Sequence, residues 1–161
     1  MKKQVITALL FFFLPVSMLL AQKDSVITLP GVTVTAISKV NQKIDKVFKQ
    51  SFPKATNLHW YKQDKDYLAK FIKEDMKHNA LFTKNGYMKY DISFGYESNV
   101  PEEVKSLVQS SYADCSITRA INLKGQDRDV WVLNLESMNH YYTVSVEEGE
   151  LNVIEQFDKA K

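Results

Sequence analysis

The sequence predicts an α+β fold in which helices pack on one face of an antiparallel sheet and the other face stays open. The order of an amphipathic helix followed by four strand-like runs occurs twice, in residues 40–95 and 100–158. The helix patterns have apolar residues at i, i+3 or i+4, and i+7 or i+8, and the later runs alternate with period two. Two short helices cannot cover both faces of an eight-stranded sheet. We therefore expect one domain, 39–161, made of two tandem repeats.

Residues 1–21 have the pattern of a secretory signal peptide. Lys2 and Lys3 precede an apolar run, and Pro15 interrupts that run before Ala21, where we expect cleavage. An uncleaved anchor helix is the alternative, but Pro15 interrupts a run that is already shorter than the roughly 20 residues a membrane-spanning helix needs, so no transmembrane span is expected after cleavage. The sequence thus predicts an exported protein, periplasmic or extracellular.

Residues 22–38 are set apart from the two units and are assigned to a leader segment. A Pro30-Gly31 turn signal divides it, and Val32–Thr35 has high strand propensity. Because terminal segments are usually loosely held, we expect a flexible leader. An edge strand of this sheet, or a strand added to another sheet, is the alternative.

The first unit begins with a helix capped by Ser38 and ended at Phe52, since Pro53 disfavours helical geometry in the residue before it. The Asn85-Gly86 pair is typical of a tight hairpin turn. The predicted strands of this unit are Thr56–Tyr61, Tyr67–Lys73, His78–Thr83 and Tyr87–Phe94.

The second unit begins at Pro101, which suits the first turn of a helix. Glu102 and Glu103 follow where the helix dipole favours acidic side chains. The predicted strands of this unit are Ser116–Leu123, Val130–Glu136, His140–Val146 and Leu151–Phe157.

Alternation assigns strand residues to the two faces of the sheet, and an error of one residue in register would exchange the faces. The residues expected to face the helices are Leu58, Trp60, Tyr67, Ala69, Phe71, Met88, Tyr90, Ile92, Trp131, Leu133, Leu135, Tyr142, Val144 and Val146. The residues expected on the open face are His59, Tyr61, Leu68, Lys70, Ile72, Tyr87, Lys89, Val130, Val132, Tyr141 and Thr143.

One string of residues is similar to a known family. Phe48-x-x-x-Phe52-Pro53-x-Ala55-x-x-Leu58-x-Trp60, followed by Tyr67-x-Ala69-x-Phe71 and Asn85-Gly86, resembles the PepSY-like, or beta-lactamase-inhibitor-like, exported proteins of Bacteroidetes. The second unit departs from the motif, with Tyr112-Ala113-Asp114 in place of an aromatic-proline pair and Ala120 in place of the tryptophan. The resemblance implies a fold, namely tandem helix-plus-four-strand units whose helices pack on one face of an antiparallel sheet.

Charge is unevenly distributed along the chain. Residues 39–89 contain 12 lysines against five acidic residues, a net charge of +7, whereas residues 90–161 contain six basic against 13 acidic residues, a net charge of −7. Without the signal peptide the two signs balance, which argues against a nucleic-acid partner. Two halves of opposite charge can instead attract each other or steer a polar partner.

The sequence offers little for catalysis. His59, His78 and His140 have no metal-ligand neighbours at useful spacing, although His78 and His140 occupy corresponding strand starts and could approach each other. Cys115 is the only cysteine and is expected to be buried. The chain also lacks a nucleophile elbow and a glycine-rich phosphate loop. We therefore expect no enzyme, no cofactor and no metal site.

The open face is the predicted functional surface. Tyrosines mixed with aliphatic and lysine side chains are typical of protein-binding surfaces. Trp60 and Trp131 are instead expected to pack in the core. The candidate contact residues are His59, Tyr61, Lys70, Ile72, Tyr87, Lys89, Val132 and Tyr141.

The predicted function is a non-catalytic binding module for an unidentified envelope or extracellular protein. One alternative is a structural envelope protein that assembles with itself through the strand at 32–35, in which case it would be a homo-oligomer. A metal-dependent enzyme is the remote alternative.

Overall fold

The computed structural model describes residues 32–160, so the predicted signal peptide and the first part of the leader lie outside the described residues. Two α-helices and nine strands make up this part of the chain, with a single 3-10 turn at Glu97–Asn99. The helices are α1 (Gln42–Ser51) and α2 (Glu102–Ser111). The strands are β1 (Val34–Ile37), β2 (Thr56–Gln63), β3 (Asp66–Lys73), β4 (Met76–Phe82), β5 (Met88–Gly95), β6 (Ser116–Gly125), β7 (Arg128–Glu136), β8 (His140–Glu147) and β9 (Glu150–Asp158).

All nine strands form one antiparallel sheet in the order of the sequence. Strand β1 lies within the segment assigned to a flexible leader, but the structure places Val34–Ile37 beside β2 as an edge strand. Val34, Thr35 and Ile37 of this stretch are β-branched and favour the extended conformation, and the neighbouring edge of β2 supplies the backbone partners. The β-branched pattern therefore outweighs the general tendency of terminal segments to be loose.

Helix α1 starts three residues later than the sequence suggested. Asn41, rather than Ser38, is the N-cap, and its side chain accepts a hydrogen bond of 2.9 Å from the Ile44 backbone N–H. The predicted end at Phe52 is confirmed, since this residue is the C-cap and precedes Pro53. Asn41 also donates a hydrogen bond to the Lys84 carbonyl, which fixes the start of the helix against the β4–β5 turn.

Helix α2 and most of the turns agree with the sequence patterns. Glu102 and Glu103 occupy the first turn after Pro101, as predicted. The Asn85-Gly86 pair forms the β4–β5 turn, where Gly86 has a φ of +82° and donates a backbone hydrogen bond to Thr83. A side chain at Gly86 would be strained by this φ and would touch Val47 of α1.

Both helices pack on the same face of the sheet, which we call the helix side. Residues paired across neighbouring strands share a face, and the chain of partners from Trp60 under α1 leads through Ala80 and Asp91 to Asp129. Trp131 lies two residues beyond Asp129 and therefore points the same way, into the cluster under α2. The opposite face is covered by neither α1 nor α2.

Two hydrophobic clusters hold the helices to the sheet. Under α1, the ring of Phe48 contacts four other aromatic rings at centroid distances of 5.0 to 6.3 Å. Under α2 the cluster is mainly aliphatic, with Val108, Leu133, Leu135 and Val144 almost completely buried. Trp60 and Trp131 are both 8% exposed and belong to these clusters, which confirms their expected place in the core.

The predicted faces are correct for β2, β3, β7 and β8, but not for β5. Tyr90 and Ile92 were expected to face the helices, yet they pair with Leu81 and Asn79 on the open face. An irregularity between Leu81 and Phe82 causes the difference, because Met88 stays on the helix side while the following residues change parity. A bulge of this kind has no signature in the alternation of the sequence.

The order of one helix followed by four strands does occur twice in the described residues. That the two units are repeats of one another remains a prediction from the sequence.

The aromatic cluster under α1 generates a first prediction. Replacing Phe48 with alanine should destabilise the protein by about 3 to 5 kcal/mol, because the ring is buried and leaves a cavity among its four neighbours. Denaturant unfolding followed by tryptophan fluorescence measures the change. Lys49→Ala, on the exposed side of the same helix, should cost less than about 1 kcal/mol. Equal losses for the two variants would contradict the packing described here.

Candidate functional site

The polarity of the sheet is reversed in the middle part of its two central strands, β5 and β6, whereas Ile117 and Ala120 of β6 still pack in the apolar cluster under α2. On the helix side these strands place Asp91, Ser93 and Asn122, all three buried. On the open face they place apolar side chains instead, among them Phe94 and Leu123, which are 38% and 37% exposed. An ordinary two-layer fold has the opposite arrangement, with apolar residues under the helices and polar residues facing water.

Six apolar side chains form a compact patch at the middle of the open face. In the strand register Phe94 pairs with Ile121, which pairs with Val132, and the next row has the same form. This surface, which we call the apolar patch, consists of Ile92, Phe94, Ile121, Leu123, Val130 and Val132. Contiguous apolar surface of this kind usually marks an interaction site.

Three basic side chains border the apolar patch at one end. Lys77 is the register partner of Phe94, and Arg119 lies beside the same ring in a depression of about 310 Å³. Lys70 lies further along, with its Nζ 5.2 Å from the ring centre of Tyr61. Within residues 32–160 none of the three forms an ion pair. Among the described residues this end of the patch therefore presents an excess of positive charge, although Asp75 lines the same depression as Lys77 and Arg119.

Four of the eight predicted contact residues come together here. His59, Tyr61, Lys70 and Ile72 line one depression of about 370 Å³ on the open face. Its other lining residues include Lys77, Asn79 and Phe94, so it adjoins the apolar patch.

The other four predicted residues are dispersed. Val132 belongs to the apolar patch, whereas Tyr87 lies in the β4–β5 turn and is 56% exposed. Lys89 makes a 2.6 Å ion pair with Asp66. Tyr141 lies on β8, six strands from Tyr61, which is about 29 Å at the usual spacing between strands. A partner that touched both tyrosines would have to span most of the sheet.

The helix side between the two clusters is polar and internally bonded. His78 Nδ1 lies 2.9 Å from Asp91 Oδ2, with both side chains about nine-tenths buried, and the His78 ring stacks on Phe71. Asn122 donates hydrogen bonds to Asp129 and to the Val130 carbonyl. These contacts satisfy the buried side chains of Asp91 and Asn122, so this region is structural.

The histidines do not meet as the sequence suggested they could. His78 is on β4 and His140 on β8, four strands apart, and His140 lies 3.3 Å from Asp158 instead. No group of three or more histidine, cysteine, aspartate or glutamate side chains is placed to hold a metal ion within the part of the chain that the structure describes.

Neither helix of the described residues is long and apolar enough to cross a membrane.

Acidic residues at the β7–β9 end are partly neutralised. Arg128 binds Glu147 through two hydrogen bonds of 2.6 and 2.7 Å, and this contact lowers the pKa of Glu147 and raises that of Arg128. Lys159 binds Glu136 and lies 4.7 Å from the ring centre of Tyr141, and the bond to Glu136 raises the pKa of Lys159.

Sequence reasoning missed the centre of the patch, because it assigned no faces to β6 and the wrong parity to β5. One signal was present: Ile121 and Leu123 alternate with Ala120 and Asn122, so the larger apolar residues share one face. The irregularity between Ile117 and Arg119 prevents this alternation from being connected to the start of the strand. Only the pairing with β5 shows that this face is the open one.

Cys115 generates a second prediction. It is partly buried against the α2 cluster, and burial, followed by the neighbouring charge of Asp114, raises the pKa of its thiol. Since the thiolate is the nucleophile, iodoacetamide should alkylate native Cys115 several-fold more slowly near neutral pH than the same residue in the unfolded chain. Mass spectrometry over a series of pH values measures the rates.

Asp114→Asn should shift the pH profile of this reaction to lower pH, because it removes the negative charge beside the thiol. Glu97→Gln, an exposed acid elsewhere, is the control and should leave the profile unchanged. Equal alkylation of native and unfolded protein would show that Cys115 is not shielded.

Several solved structures with this fold come from Bacteroides species. A BLIP-like protein from Bacteroides fragilis is 18% identical, with a TM-score of 0.56 over 76% of this chain and 88% of that one. A DUF2874 family protein from Bacteroides ovatus is 16% identical, with a TM-score of 0.54 over 76% and 89%. A protein from Bacteroides eggerthii, provisionally described as periplasmic, is 15% identical, with a TM-score of 0.52 over 75% and 90%.

No protein-family profile matches the sequence, and no curated protein matches it. The likeness to the solved structures is therefore a likeness of fold. The chain has the fold of the BLIP-like and DUF2874 proteins of Bacteroides.

Proposed function

We propose that this protein is an exported, non-catalytic binding module that engages an envelope or extracellular protein through the open face of its sheet. The reversed polarity of β5 and β6 carries this proposal. Asp91 and Asn122 are buried on the helix side and require hydrogen-bond partners there. Phe94 and Leu123 are exposed on the open face, and the contact of their apolar side chains with water is unfavourable. A partner that covered the apolar patch would recover that free energy.

The partner chemistry follows from what borders the apolar patch. Lys70, Lys77 and Arg119 form no ion pairs within residues 32–160, so they can attract carboxylates. The matching surface is a set of apolar side chains flanked by acidic residues. Charge at the rim of such an interface mainly speeds association, and the buried apolar contacts hold the complex.

The location follows from the predicted signal at residues 1–21 and from the provisional periplasmic description of a structural neighbour. The BLIP-like description of another neighbour supports a role in protein binding through likeness of fold. A PepSY-like relationship, suggested by the motif around Phe52 and Trp60, is part of the same proposal.

A third prediction tests the apolar patch. The native protein should retain a partner from an envelope extract, and the double variant Phe94→Asp/Leu123→Asp should not. Once that partner is purified, the Kd of the double variant should be at least about 30-fold higher than that of the native protein. This corresponds to about 2 kcal/mol, the loss expected at an interface hot spot. Met138→Asp is the matched control, because Met138 is 88% exposed and lies in the β7–β8 turn.

Retention that is equal for the native protein, the double variant and the control would contradict binding through the open face. Tyr61→Ala and Tyr141→Ala, measured separately, locate the partner further. The structure places Tyr61 beside the basic end of the patch and Tyr141 far from it, so Tyr61→Ala should weaken binding more.

A further inference from the structure

The sheet has two edges, and both present unpaired backbone among residues 32–160. Strand β1 begins the sheet and β9 ends it, so each has one neighbouring strand. Next to β1, the Asp64 N–H donates to the Thr33 carbonyl, so Thr33 and Thr35 bond toward β2. Val34 and Ala36 therefore direct their N–H and C=O groups outward, away from the sheet.

The same argument applies to β9. The Lys159 N–H donates to the Asn139 carbonyl at 2.8 Å, so Lys159 and Phe157 bond toward β8. Gln156 and Asp158 consequently direct their backbone groups outward. An open edge of this kind is a template for a further strand.

Apolar side chains add to the free backbone at both edges. On β9, Val153, Ile154 and Phe157 are between 53% and 58% exposed, and eight of the nine residues of the strand are exposed. Near the other edge, Val32 and Val34 are 57% and 49% exposed. Natural edge strands are commonly protected by proline, by charged side chains or by bulges, and β1 has none of these, whereas β9 has acidic side chains and one irregularity opposite Thr143 and Val144.

The charge distribution determines which edges of two copies attract each other. Helix α1 and strands β2–β4, which lie next to β1, fall within the basic stretch 39–89, of net charge +7, whereas α2 and strands β6–β9 fall within 90–161, of net charge −7. Strand β9 itself carries Glu150, Glu155 and Asp158, whereas β1 has no charged residue. Two β9 edges would bring like charges together, and two copies joined at β1 would bring together the basic strands β2–β4 that lie next to it. Contact between β9 and β1 joins opposite charges.

We propose that β9 of one copy of this protein adds to β1 of the next copy, so that the sheets join edge to edge. This inference is independent of the binding function proposed for the open face. Nine antiparallel strands place β1 and β9 in the same direction, so they pair in parallel when the helices of both copies lie on one side.

The register of this pairing follows from the outward-facing groups. Gln156 lies opposite Thr35 of the next copy, because its N–H and C=O then reach Val34 and Ala36. Phe157 then lies beside Ala36 of the next copy on the open face, and this contact covers part of the exposed Phe157 ring. The contact joins two different surfaces, so it produces open chains that lengthen with concentration rather than closed dimers.

Two proline variants test the pairing. Ala36→Pro removes an outward N–H from β1, and Gln156→Pro removes one from β9, while the bonds of each strand to its own neighbour are kept. Analytical ultracentrifugation of the full exported chain should show concentration-dependent chains for the native protein and monomers for either variant alone. A mixture of the two should form heterodimers and nothing larger, because one variant keeps a competent β9 and the other a competent β1.

Ala36→Val and Gln156→Ala are the matched controls, since both retain the N–H, and they should assemble like the native protein. The chains should shorten when salt rises from about 0.01 M to about 1 M, as the Debye length falls from about 30 Å to about 3 Å. A native monomer at high concentration and low salt overturns the proposal. So does a closed dimer, or assembly that persists in both proline variants. Circular dichroism confirms that the variants are folded.

Discussion

The fold depends on the small size of the two helices relative to the sheet on which they pack. A helix of ten residues is about 15 Å long and about 10 to 12 Å wide with its side chains, whereas nine strands span about 38 Å. Two such helices can cover only part of one face of the sheet and none of the other. Each helix therefore packs on its own hydrophobic cluster. The strands between the two clusters have no helix above them, so their side chains on the helix side must be stabilised by other contacts.

Buried hydrogen bonds supply that means, and the open face carries the consequence. The His78–Asp91 pair and the Asn122 contacts occupy the helix side of the central strands, which sends the apolar side chains of those strands to the open face. Positive charge at Lys77 and Arg119, which form no ion pair within residues 32–160, borders them. A single arrangement thus links the internal packing of the sheet to the surface that we propose for binding.

Much of the fold could be predicted from the sequence, because local patterns determine much of it. Helix spacing, Pro53, Pro101 and the Asn85-Gly86 turn placed both helices and the adjacent strands to within a few residues. The centre of the candidate site could not be predicted. Its position depends on two irregularities in strand pairing, near Leu81 and Ile117, which change parity without changing composition. The edge position of β1 likewise depends on a distant partner, β2.

Labelling of side chains with hydroxyl radicals tests the central claim most directly, because it compares the two faces in one sample. Phe94 and Phe71 are chemically identical residues on opposite faces of neighbouring parts of the sheet, 38% and 3% exposed. The account predicts that Phe94 of the isolated protein is oxidised several times faster than Phe71, and Leu123 faster than Leu133. Equal rates, or faster oxidation of Phe71, would contradict an open apolar face.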